Sequence, residues 1–156
     1  MTRADYIDFI KFIRPDFNYI TEFNSTPTSP KTGEYNCIAW AYGRSDVWCE
    51  PDAWGQFFWP ISRREYSLDA FMELFSSIGY SSCTDASKEN GFLKIALYVN
   101  NEGMPTHAAR QLSTGKWTSK LGKEYDIEHD SPEVLNGQAY GTAKIFMKRK
   151  TESCNI

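Results

Sequence analysis

Cys37, in Tyr35-Asn36-Cys37-Ile38-Ala39-Trp40-Ala41, and His107, in Thr106-His107-Ala108-Ala109, have the residue types and chain order that nucleophilic catalysis uses. The apolar run after Cys37 reads as a buried helix that the cysteine opens. A thiol at that end faces the positive pole of the helix dipole, which predicts a pKa lowered to roughly 3.5–7.5. His107, one of two histidines in the chain, would take the thiol proton and later give it to a leaving group. Each residue also has a plainer role, as a small buried hydrophobe and as a hydrogen-bonded strand histidine.

A hairpin must carry His107. Ser113-Thr114-Gly115 lies between two strand-like runs, so Leu112 pairs with Lys116. Period-two alternation then places His107, Ala109, Gln111, Trp117, Ser119 and Leu121 on one face. Ser119 becomes a diagonal neighbour of His107 and a candidate to orient its ring. Asp126 is the nearest carboxylate able to hold an imidazole tautomer. His129, in Asp126-Ile127-Glu128-His129-Asp130, reads as a polar-loop histidine, as a further orienting residue, or with its acidic neighbours as a weak metal signal. Gln111 and Trp117 either shape a substrate wall or pack as an ordinary cross-strand pair.

Cysteine on a helix, histidine on a later strand and a polar residue on the next strand form an order that resembles the papain-like cysteine peptidases and amidases. The resemblance rests on Asn36-Cys37-Ile38-Ala39-Trp40-Ala41, on Thr106-His107-Ala108-Ala109 and on Trp117-Thr118-Ser119-Lys120-Leu121-Gly122, and it spans Thr32 to Gly122. It implies Cys37 as nucleophile, His107 as general base and acid, and Ser119 or Asp126 as the third member, a place that a few such families give to histidine. The family's oxyanion glutamine has no counterpart near Cys37, so Asn36 or backbone N–H groups would replace it.

Length and composition set the frame. The chain has 156 residues, one domain's worth, with 15% aromatic and 24% charged residues. A formal charge of −3 provides no positive field for nucleic acid. Lys144 and Lys148-Arg149-Lys150 read as a solvated strand end. Met1-Thr2-Arg3-Ala4-Asp5 lacks a signal-peptide core and no apolar run approaches a membrane span, so the expectation is a cytoplasmic protein, or one exported without a leader as effector and toxin domains are. The four cysteines, Cys37, Cys49, Cys83 and Cys154, lack metal-ligand spacing and a disulfide framework, and no metal or cofactor is expected.

The remaining elements follow from local pattern. Tyr6, Ile7, Ile10 and Ile13 recur at helical spacing and stop before Pro15. Residues 24–33 form a polar loop, one lip of a cleft, and Arg44 to Trp59 form an irregular aromatic segment. Leu68, Phe71, Met72, Phe75 and Ile78 mark an amphipathic helix between Ser67 and Gly79. Phe92 to Val99 and Thr142 to Lys148 read as strands. Helices followed by short strands predict an α+β fold, with N-terminal helices packed on a short antiparallel sheet over residues 1–156. The functional expectation is a cysteine hydrolase or acyltransferase acting on an amide, peptide or isopeptide bond of a protein or peptide substrate. The alternative is a catalytically silent binding module whose Trp48–Trp59 segment meets a protein partner.

Overall fold

Local signals begin each helix. In the computed structural model, which describes residues 2–151, Thr2 and Asp5 cap each other at the start of α1 (Arg3–Ile13). Asn36 opens α2 (Cys37–Tyr42), which ends at Gly43 in a left-handed conformation. Ser67 accepts the Ala70 N–H at the start of α3 (Leu68–Ser76), and Gly79 at φ +99° turns the chain after it.

Seven strands form one sheet: β1 (Ser25–Pro27), β2 (Ser81–Cys83), β3 (Phe92–Val99), β4 (Pro105–Gln111), β5 (Trp117–Lys120), β6 (Asp126–His129) and β7 (Thr142–Lys150). The order across it is β1-β6-β5-β4-β3-β7-β2, with every pairing antiparallel. The fold is therefore α+β. The hairpin has the expected register: Gln111 faces Trp117, Arg110 faces Thr118, and the Leu112 N–H reaches the Lys116 carbonyl at 2.7 Å.

Two cores cover the two faces. Tyr6, Phe9 and Ile10 of α1 pack on Ala96, Tyr98, Ala109, Trp117 and Ile127. On the opposite face, α2 and α3 bring Ile38, Ala39, Phe71 and Phe75 onto Ile95, Leu97, Ala108 and Met147. Neighbouring strand residues point to opposite sides, so each strand contributes to both cores.

Two segments depart from the sequence expectation. The polar stretch after Asn24 contains β1, and the stretch around His129 is strand β6 instead of a loop, because Ser25 pairs with His129 and Pro27 with Ile127. The Arg44 to Trp59 segment is irregular, as its sequence suggests. It folds around Asp52, whose carboxylate accepts the Gln56 and Phe57 N–H groups and pairs with Arg64 at 2.8 Å. Trp59 is buried, while Trp54 is 86% exposed. At the end of β7, Lys148 pairs with Glu89 at 2.7 Å and Arg149 donates to the Ile78 carbonyl. Among the described residues, no helix is long and apolar enough to cross a membrane. Cys154 lies outside the described residues.

Candidate active site

His107 is fully buried and held on three sides. Tyr140 stacks on its ring at 4.0 Å between centroids with an 8° interplanar angle, and Tyr98 meets it edge-on at 5.0 Å. The third contact is polar: Nε2 lies 3.0 Å from the Ser119 hydroxyl. That hydroxyl lies 2.8 Å from His129 Nε2, and His129 Nδ1 lies 2.8 Å from the Ser131 carbonyl. The hairpin register explains the first link and the pairing of β5 with β6 the second, since Ser119 and His129 share a face. His107 Nδ1 is buried and has no hydrogen-bond partner.

Tyr140 is placed by backbone geometry. Gly137 and Gly141 exchange N–H to carbonyl bonds at 2.9 and 2.8 Å, closing the loop that carries the ring. Gly141 sits at φ +77°, and a Cβ there would collide with the Val99 carbonyl. Only glycine fits both constraints.

Cys37 stands at the first position of α2, on the face of Ala108. His107 precedes Ala108 and packs with Tyr98 and Tyr140, and Cys37 adds to the burial that pushes the Tyr140 hydroxyl up. Burial pushes the thiol up to about 11. The Ala108 amide, the amides of Ile38 and Cys37 itself, and the Lys120 ammonium pull in the opposite direction. This corrects the expectation of a depressed pKa: α2 has only six residues, and desolvation outweighs the local amide dipoles. Burial also drives both imidazoles down, His107 well below its ordinary value and His129 to about 4. The resting site is therefore a neutral thiol with neutral imidazoles.

Asn36 does not offer its side chain to an oxyanion. Its Oδ1 accepts the N–H groups of Ala39 and Cys49, and its Nδ2 donates to the Cys49 carbonyl. It caps α2 and clamps the irregular segment at Cys49, leaving backbone amides as the available donors. Asp126 does not orient His107 either. It pairs in register with Lys120 on the α2 face, where it accepts the Tyr35 hydroxyl at 2.6 Å, while Ser119 occupies the face of His107. Gln111 and Trp117 pair as expected, but they are 2% and 1% exposed. They form core and not a substrate wall; Gln111 donates to the carbonyls of Ala86 and Gly115.

His129 is the member that local reading undervalued. Its neighbours are acidic, yet alternation along β6 turns Asp126 and Glu128 to the face opposite His129. That same alternation disperses the acidic cluster, and among the described residues no group of three His, Cys, Asp or Glu side chains is arranged to hold a metal. Alternation aligned from Trp117 and Ser119 would have revealed it, given the length of the turn at Gly122.

The chain belongs to the family described as Domain of unknown function (DUF7689), whose model matches residues 26–148 and so covers Cys37, His107, Ser119 and His129. No curated protein and no solved structure matches the chain.

Proposed function

We propose that this family member is a cysteine hydrolase or acyltransferase with a papain-like arrangement, in which Cys37 attacks an amide, peptide or isopeptide carbonyl. The observation that carries this reading is the His107 ring: it is fixed by Tyr140, Tyr98 and Ser119, and its remaining nitrogen is unpartnered. A buried imidazole with one lone pair left unsatisfied has a cost that a purely structural histidine has no reason to bear.

In the reaction, the thiol proton passes to His107 Nδ1 as sulfur bonds to the carbonyl carbon. The amides near the start of α2 then stabilise the oxyanion. His107 returns the proton to the departing amine, and water or an acceptor amine releases the thioester. With the thiol near 11, proton removal accompanies attack and no thiolate accumulates beforehand.

Incubation with an activated aryl ester, followed by mass spectrometry, tests the proposal. An acyl group on Cys37 that forms about 10²-fold more slowly in His107→Ala is expected. Acylation of Cys37 no faster than that of half-exposed Cys83 would end the enzymatic reading.

One set of observations favours a second reading, a binding module without catalysis: the raised thiol and the occupied Asn36 side chain. The exposed Trp54 would then anchor a protein partner. Retention of partner binding by Cys37→Ser together with its loss in Trp54→Ala would support that reading.

A further inference from the structure

We infer that the Ser131 carbonyl fixes the tautomer of His107 through His129 and Ser119, leaving His107 Nδ1 bare and able to accept a proton. Three hydrogen bonds link that carbonyl to His107. A carbonyl only accepts, so the His129 nitrogen 2.8 Å from Ser131 O must carry hydrogen. A neutral imidazole has one such hydrogen, so His129 Nε2 is an acceptor. The Ser119 hydroxyl, 2.8 Å away, donates to it. That hydroxyl has no second proton, so its oxygen accepts from His107 Nε2 at 3.0 Å. Nε2 holds the single ring hydrogen of His107, and Nδ1, buried without a partner, is left with a free lone pair.

The neutrality on which this chain depends has a structural basis. Both rings are 0% exposed, and neither has a carboxylate among its hydrogen-bond partners. Reversing the direction would require a charged His129, donating from both nitrogens inside the core. Ser119 and His129 are thus positioning residues: they act on a reacting atom through His107. On proton transfer the S–H bond breaks and an N–H bond forms at Nδ1, the electron pair of sulfur enters the new S–C bond, and the relay protons stay where they were.

The catalytic meaning rests on the function proposed above, but the tautomer does not, and the test separates them. The chain has two histidines, so its imidazole spectrum contains two ring systems. In nitrogen-15 correlation spectra of the full chain at neutral pH, the ring packed against Tyr98 and Tyr140 is expected to bear hydrogen on Nε2. The other should bear it on Nδ1. Hydrogen on Nδ1 of His107, or on Nε2 of His129, would overturn the inference. In Ser119→Ala, His107 is expected to shift to a mixture of tautomers while His129 keeps Nδ1–H; an unchanged His107 would overturn it equally. If the wild-type spectra are as expected and Cys37 forms no acyl adduct, the relay stands and the hydrolase reading falls.

Discussion

The two faces of the sheet at β4, β5 and β6 bury polar groups in contrasting ways. On the α1 face, His107, Ser119 and His129 form a neutral chain that ends on a backbone carbonyl. On the α2 face, buried Lys120 donates to the carbonyls of Thr32 and Glu124 and lies over the Tyr35 ring, while Asp126 accepts from Tyr35. Charge on this second face is tolerated because carbonyls and a hydroxyl replace water. The first face supplies one carbonyl and one hydroxyl for two rings, too few acceptors for an added proton, so its imidazoles stay uncharged. The proposed reaction would draw on both environments: a base that starts empty and a positive charge that would favour a thiolate.

Removing charge from the α2 face should have the largest effect. Lys120→Met keeps the volume but leaves two buried carbonyls without a donor, an expected loss of about 2–5 kcal/mol in denaturant unfolding. A loss under about 1 kcal/mol would show that the charge is dispensable there.

Acid should expose the neutral face next. His129 is depressed from 6.5 to about 4, so the unfolded chain binds the proton first as pH falls. Stability is complete above about pH 6.5 and falls by about 3 kcal/mol by pH 4, with His107 adding in the same direction. Asp85, held down to about 2 chiefly by Ser87, loses its own contribution only at lower pH. Unfolding free energies equal at pH 7 and pH 4.5 would contradict the contrast between the faces.

Ser119→Ala removes the middle of the neutral chain and leaves two ring nitrogens facing a gap, with an expected cost of about 2 kcal/mol by thermal unfolding. Asn36→Ala should cost about 1 kcal/mol through the lost cap, plus the released Cys49 clamp, while sparing the His107 tautomer. A change of tautomer in that variant would show that the faces are coupled and not merely adjacent.

Local reading reached the elements whose signals lie within one stretch of chain. Ser67 and Gly79 bracket α3, Phe92 to Val99 is β3, and Gly115 sets a hairpin register that brings Ser119 to His107. It does not reach β1, whose partner β6 lies about a hundred residues away, nor β6, whose near partner β5 leaves its polar side chains to meet needs set by another part of the molecule. The thiol departs from the helix-dipole expectation for the same reason. Its position on α2 is a local property, whereas its desolvation depends on how the helix packs against β4.

The three-residue strands β1 and β2 close the two edges of the sheet. Edges this short, one ending in a proline that lacks an N–H, give a passing chain little backbone to template on, which guards against edge-to-edge aggregation. Beneath β1, the strand bearing His129 is kept from becoming a margin at all, so its ring can remain dry throughout the life of the folded protein.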